Sequence, residues 1–451
     1  MGMAGGMSSV IRRELKTIPD EFAASCPVTH DYRCGTLANI VICRDENFIP
    51  PSGAMTGRAA LPAEIMLFDF ISHETMHLPF NESYIRTLRA AFPADLIIFH
   101  ARAGHVANLA PRVADLDKVV LRPCLPFTVP FGLSRHNPLG AWLAARRCHD
   151  TMRRAIAKAA APRLAVLLGI DSSLYAVVGR GWPRLSNAPL HMILHGQLGD
   201  NMVWRSRNPV ARAFDLISAV RRPLPPSVRL VALELGVKAA IAEIAPANDS
   251  IITLEHPILP GESNEDSPPG VDRLKIAFVG NARRSKGFEV FAKLARKTKR
   301  SDLEFQAIGV AAPDTDHLDT TAMTRKPSRE PLSRQDYLEG VRAADIVCLP
   351  LHSRAYDFTA SGTVSDAVSA LKPLLAFRNK TLDAIVAKYG SIGWLVDSEA
   401  ELFSQVETMK REDFLAARSE WVANLRKIRD ARRPEALAPG YAALIEASHG
   451  H

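Results

Sequence analysis

"LKIAFVGNARRSKGFEVFAKLA", residues 274 to 295, runs from an apolar segment through a glycine and a short basic loop into an amphipathic segment. Leu274 to Val279 has the length and composition of a strand buried on both faces. From Lys286 to Lys297 the apolar residues return every three or four positions, the period of a helix with one buried face. Strand, turn and helix open a βαβ unit, and Gly280 stands where the chain must turn sharply out of the strand. The helix start is expected to present N–H groups without intrahelical partners, beside the cationic donors Arg283, Arg284 and Lys286. The stretch reads as a diphosphate cradle, or as a basic solvated turn. It has neither the GK[ST] ending of a Walker loop nor the G-x-G-x-x-G spacing of a dinucleotide fingerprint.

The same alternation extends in both directions. Downstream, strands are expected at Leu303 to Gly309, Asp345 to Leu349, Pro373 to Phe377 and Trp394 to Val396, with helices at Arg334 to Ala343, Thr363 to Ala370 and Leu382 to Lys388. Upstream, strands are expected at Ile65 to Phe70, Asp95 to His100, Lys118 to Leu121, Arg163 to Leu168, Leu190 to His195, Val228 to Glu234 and Ile251 to Glu255. Helix-period stretches separate them, including Glu82 to Ala91, Ala141 to Ala160, Ala211 to Val220 and Val237 to Ile244. Strands alternating with helices imply parallel sheets and crossover connections. Between the two sets lies "LPGESNEDSPPGVDR", 259 to 273, polar and without an apolar period, which reads as a linker. The expected fold class is α/β, with two Rossmann-like doubly wound parallel-sheet domains facing a central cleft where a ligand would sit. The expected plan is a loosely ordered extension 1–60, a first domain 61–258, the linker 259–273, a second domain 274–435 and a terminal helix 436–451 packing back on the first domain.

A chain of 451 residues exceeds what one core organises, in accord with two domains. With 47% apolar and 23% charged residues the composition is that of a folded globular protein and excludes wholesale disorder. The formal charge of +8 favours an anionic partner: a nucleotide, a phosphorylated lipid, a membrane surface or nucleic acid. Nucleic acid is set aside, because five Trp and seven Tyr form no recognised base-stacking motif. Six cysteines are scattered without C-x-x-C spacing, which argues against a zinc ribbon or disulfide framework and fits a reducing compartment. No apolar run approaches the length of a membrane span, and Met1 to Ser9 lacks a signal-peptide pattern, so a cytoplasmic protein is expected. Gly6 stands where a myristoylation signal needs Ser or Thr.

His73-Glu74-Thr75-Met76-His77 matches H-E-x-x-H, the zinc-binding pattern of many peptidases. That chemistry needs both histidines one helical turn apart with Glu74 beside the metal-bound water. Here the motif follows directly on a strand, and Pro79 is expected to disfavour helix at Leu78. A strand-to-helix loop facing the cleft is the expected structure, with His73 and His77 touching substrate and no metal; a zinc peptidase is the remote alternative.

A second element supports the anion cradle. In "ADIVCLPLHSRAYDFTASGTVSDAVSALKPLLAF", 344 to 377, Ser361 is suited to cap a helix whose first amides, Gly362 and Thr363, are open to an anion. Asp366, one turn on, is an acceptor for a pair of sugar hydroxyls. A basic loop after one strand and a capped helix start after another, with a carboxylate nearby, make a nucleotide-sugar arrangement.

From Leu274 to about Val396 the sequence resembles the donor half of the GT-B glycosyltransferases, in particular the retaining family 4, or group 1, enzymes of bacterial exopolysaccharide and lipid-linked glycan synthesis. The V-G-x-x-x-x-x-K-G loop of that group reads Val279 to Gly287 here, with Asn281 where arginine is often seen and Arg283 its expected substitute. Of the group's two signature glutamates, Asp366 matches the second while the first falls on Phe358. "HLPFNESYIRTLRAA", from His77, is similar to the acceptor-side loop and helix of related enzymes, which implies acceptor-side roles for His73, His77 and Asn81. "HMILHG" places His195 at a strand end, where a histidine contacts the reacting sugar in many GT-B enzymes; a satisfied structural histidine fits the spacing equally.

The resemblance implies transfer of a glycosyl group from a nucleoside diphosphate sugar to a hydroxyl acceptor, with retention of configuration. His195, Arg283 and Lys286 would act in catalysis, and Gly280, Arg284, Ser361, Gly362, Thr363 and Asp366 would bind the donor. Cations at the leaving diphosphate make a metal or other cofactor unnecessary on this reading. A non-catalytic nucleotide-sugar-binding protein of the same fold is the main alternative. The segment Trp142 to Arg163 reads as a helix with Arg146, Arg147, Arg153, Arg154 and Lys158 on one side and Trp142, Met152 and Ile156 on another. It suits an anionic membrane surface carrying a lipid-linked acceptor, on the inner face of the cytoplasmic membrane, and also an ordinary surface helix.

Overall fold

The computed structural model describes residues 36–37, 40–42, 62–124, 138–203, 205, 207, 209, 212, 215–259, 270, 272–351 and 353–448. Most of the expected extension 1–60 and of the expected linker 259–273 lies outside the described residues. At one sheet edge β1 (Thr36–Leu37) pairs antiparallel with β2 (Ile40–Ile42), which runs parallel to the third strand inward. The rest of that sheet is parallel throughout: β3 (Glu64–Asp69), β4 (Leu96–Ala101), β5 (Val119–Pro123), β6 (Pro162–Leu168), β7 (Leu190–Leu194), β8 (Val228–Ala232) and β9 (Ile251–Thr253). Their spatial order is β5-β4-β3-β6-β7-β8-β9, so the order reverses between β3 and β6.

The second sheet contains β10 (Leu274–Val279), β11 (Leu303–Ile308), β12 (Ile346–Leu349), β13 (Leu374–Phe377) and β14 (Gly393–Val396), all parallel, in the order β11-β10-β12-β13-β14. Here the reversal falls between β10 and β12. Crevices at the carboxyl ends of strands beside such reversals are where doubly wound sheets bind ligands. Both faces of each sheet are covered, which is why the strands read as continuous apolar runs. In β3, Met66 and Phe68 pack into one core cluster while Ile65 and Leu67 pack into the other; in β10, Ile276 and Phe278 face opposite to Ala277 and Val279.

The helices of the first lobe include α1 (Leu78–Ala91), α2 (Pro138–Ala157), α3 (Gln197–Val203) and α4 (Leu235–Ile244); those of the second include α5 (Phe288–Lys297), α6 (Arg334–Ala343), α7 (Gly362–Ser369) and α8 (Lys380–Tyr389). Helix α1 corrects one expectation. It begins at Leu78 with Pro79 in its first turn, where a residue without an N–H leaves no bond unmade. The preceding turn is sharp, with Glu74 and His77 both at positive φ. His73 and His77 therefore do not lie one helical turn apart, and among the described residues no group of three or more His, Cys, Asp or Glu is placed to hold a metal.

The lobes touch at several places. The final helix, α9 (Pro434–Ala447), lies on α1, where Tyr441 and Ile445 join the apolar cluster of Tyr84 and Leu88 and the Tyr441 and Tyr84 hydroxyls are hydrogen-bonded. Just before it, Arg432 donates two hydrogen bonds to Glu234, at 2.7 and 2.8 Å, and both side chains are buried. Lys388 and Tyr389 of α8 reach Glu255 at 2.7 and 3.0 Å, and Lys380 pairs with Glu243. Breaking the Arg432 pair on one side leaves a buried charge without a partner. Glu234→Ala is expected to lower unfolding stability by about 3–5 kcal/mol in urea titrations, and Glu234→Met with Arg432→Leu to recover most of it.

Candidate functional site

Two adjoining cavities, 580 and 1160 Å³, occupy the cleft and share His77, Gly196, Lys286, Tyr356 and Thr359 in their walls. The carboxyl ends of β10 and β12 form one wall. Leaving β10, Gly280 adopts φ 97°, and a side-chain carbon there would stand 3.2 Å from Thr363 Oγ1 and 3.7 Å from Lys286 Nζ. That single position brings together the basic loop and the start of α7. Gly287 has φ 77° and passes so close to the Pro350 carbonyl that a side chain would collide with it. This contact seats Lys286 at the mouth of the crevice.

The loop differs from expectation in its donors. Residues Arg284–Lys286 form one tight helical turn, and the amides of Lys286, Gly287 and Phe288 donate to loop carbonyls. The loop consequently offers side-chain cations, and the open amides are those of α7. There Ser361 Oγ accepts from the Val364 amide, and the space above Gly362 is empty to 4 Å. Among the described residues no hydrogen bond or ion pair engages the Lys286 ammonium. Burial lowers its pKa, helped by Arg283 and opposed by Asp366 and Asp200. Arg283 and Arg284 line the larger cavity, where Arg284 is paired with Glu289 at 2.8 Å.

Asp366 faces the smaller cavity, with its oxygens engaged by Arg334 at 3.2 Å and Tyr337 at 2.7 Å, both from α6. Burial and then Asp366 raise the Tyr337 pKa well above its ordinary value, so the phenol keeps the proton it donates. Sequence reading missed Arg334 and Tyr337. Their one trace is an Arg-x-x-Tyr spacing that puts both on one face of a helix capped by Ser333. Phe358, which the resemblance set against the first signature glutamate, is 5% exposed and packs in the first lobe's core with Leu198 and Leu216. A carboxylate there would be buried in apolar contacts.

The first lobe contributes histidines. His77 stacks on His195 with ring centroids 4.4 Å apart, and Phe80 meets His195 edge-on at 4.4 Å and His256 at 5.1 Å. All four line the smaller cavity. His195 Nε2 is buried and has no hydrogen-bond partner among the described residues. Burial, reinforced by His77 and His256, holds His195 well below the ordinary histidine pKa. His256, also unsuspected from the sequence, is pushed to about 4, chiefly by burial. His77 is lowered by burial against the opposing pull of Asp69.

Asn81 stands behind this array without lining either cavity. Fully buried, it donates to Asp69 Oδ2 at 2.7 Å and to His105 Nε2 at 2.8 Å, while the other ring nitrogen of His105 bonds the Glu74 carbonyl at 2.8 Å. The network fixes the turn that carries His77. His73 is exposed and lines neither cavity. Of the expected site residues, the structure brings together His77, His195, Gly280, Lys286, Ser361, Gly362, Thr363 and Asp366 in one cavity, with Arg283 and Arg284 beside it.

No protein-family profile and no curated protein matches this sequence. Solved structures do match in fold. The N-terminal domain of Candida albicans trehalose-6-phosphate phosphatase superposes with a TM-score of 0.57 at 9% identity, over 88% of this chain and 100% of that one. The Anabaena protein Alr3699/HepE, solved in complex with UDP-glucose, gives 0.55 at 13% identity over 85% and 99%. A mutant O-GlcNAc transferase of Thermobaculum terrenum gives 0.52 at 12% over 86% and 68%. With the two parallel sheets these likenesses establish a GT-B fold.

The histidines have a consequence for stability. A histidine whose folded pKa is depressed binds fewer protons than in the unfolded chain, so its contribution is complete above about pH 6.5 and is lost on acidification toward the folded value. With His256 at about 4, ~2 kcal/mol should disappear between pH 7 and 5. His256→Gln is expected to flatten that part of the profile of melting temperature against pH.

Proposed function

We propose that this protein is a glycosyltransferase that moves a sugar from a nucleoside diphosphate sugar to a hydroxyl acceptor, in polysaccharide or lipid-linked glycan synthesis. The observation that carries the reading is the convergence at Gly280: an ammonium without a counter-ion among the described residues and the open start of α7 face the same small volume. Departure of the diphosphate builds negative charge, and groups fixed in advance around that charge lower the barrier. Lys286, Arg283 and the amides of Gly362 and Thr363 supply this without a metal or further cofactor.

His195 contributes differently. Kept neutral by burial and lining the smaller cavity, its ring can meet the neutral sugar without competing for the diphosphate. Asp366 retains lone pairs for a sugar hydroxyl or ribose, its orientation set by Arg334 and Tyr337. Uridine diphosphates come first in any test, since the Anabaena protein of like fold was solved with UDP-glucose.

A second reading, a nucleotide-sugar-binding protein without turnover, is favoured by one observation: Phe358 fills a lobe contact where the resembling enzymes carry a glutamate. Binding and turnover separate the two. A donor that binds the native state raises the melting temperature, so a screen of nucleoside diphosphates and their sugars should yield a shift that Lys286→Ala weakens. In the transferase, Lys286→Ala also lowers turnover by about ten- to thousandfold. A shift without sugar transfer or hydrolysis supports the binder, and no shift with any donor defeats both.

A further inference from the structure

Helix α2 packs Ala141, Ala145, Cys148, Met152 and Ile156 into the first lobe's core. Its outward face is unusual in two respects. Leu139, Trp142 and Leu143 are exposed by 66, 43 and 48%, and among the described residues the only other large apolar side chains so exposed, Leu235 and Leu415, lie on other helices. Directly along the same face follow Arg146, Arg147, Arg153, Arg154 and Lys158, all exposed, against the one acid Asp150. The Arg146 guanidinium lies 4.9 Å from the centre of the Trp142 ring, which joins the apolar tip to the basic stripe. The sequence reading set Trp142 beside Met152 and Ile156; the helix instead turns it to solvent with the arginines.

We propose that this face of α2 is a docking surface for an anionic lipid bilayer, with Leu139, Trp142 and Leu143 entering the headgroup boundary and the arginines meeting lipid phosphates. Apolar side chains next to cations on one helix face are the pattern of a helix lying in a membrane interface, where each part gains from a different layer. A nucleic acid would reward the cations and leave the two leucines in water. A protein partner would bury the apolar tip but has no need of five aligned cations. The surface is independent of the donor site, so a failed donor screen leaves the proposal and its test untouched.

The test is flotation of the full chain with vesicles of phosphatidylcholine alone or mixed with phosphatidylglycerol, at low and high salt. Binding is expected only to the mixed vesicles and should weaken with salt. Arg146→Gln with Arg153→Gln should reduce the partition coefficient about 25-fold, from about fivefold per cation. Trp142→Ser with Leu143→Ser should reduce it about tenfold or more. Melting temperatures of both variants are measured alongside, because these solvent-facing changes should leave them near wild type. A wild-type chain that stays unbound, or variants that float equally well, overturns the proposal. So does loss in these variants of duplex RNA binding or of self-association by sedimentation velocity, with no vesicle binding in the wild type.

Discussion

A half-buried ammonium that has no hydrogen-bonding or ion-pairing partner among the described residues governs the organisation of the cleft. Lys286 is partly desolvated, sits near Arg283, and is balanced only at a distance by Asp366 and Asp200. Leaving a charge in that condition costs stability unless something repays it. The surrounding backbone makes the cost hard to avoid: Gly287 must pass against the Pro350 carbonyl, and Gly280 must turn at positive φ beside Thr363. Together these contacts fix the Lys286 end of the loop next to the start of α7. Two sources of positive potential, one a side chain and one a helix terminus, are thereby aimed at one point.

That geometry would mean little if the lobes were free to drift apart. They are clasped at several places: the buried Glu234–Arg432 pair, the contacts of Glu255 with Lys388 and Tyr389, the seat of α9 on α1, and Phe358 sunk into the opposite lobe. Phe358 is instructive because the resemblance places a functional carboxylate there. The loop from Ala355 to Thr359 closes against the first lobe, and an apolar ring makes that closure.

Most of the architecture was legible in the sequence because strands buried on both faces leave long apolar runs and the helices between them keep their period. The twelve strands expected from those runs all occur, with ends shifted by one or two residues. What failed to show were features that depend on the third dimension. Arg334, Tyr337 and His256 reach the cleft from segments distant in sequence from the basic loop, and nothing in their local pattern distinguishes them from surface or core residues. The short turn at Arg284–Lys286 consumed the amides expected to be free, because a period of apolar residues marks a helix's face but not its first bond. Pro79 misled for a related reason: the same residue that ends a helix is harmless at its beginning, and position within the helix was the unknown.

The two lobes bring opposite electrical characters to the cleft, and that contrast bears on what it can hold. The second lobe supplies net positive potential through Lys286, Arg283 and the α7 amides. The first supplies rings held neutral by burial, His77, His195 and His256, packed around Phe80. Protonating His77 would set a second cation near Lys286 in a partly dehydrated space, and the lysine's charge is one of the influences that hold the His77 pKa down after burial. A ligand that satisfies both walls has one strongly anionic end and one neutral end rich in hydroxyls. A nucleoside diphosphate sugar is divided in that way, with its phosphates and its hexose only a bond apart, which is why the reading that joins the walls is favoured over one that uses either alone.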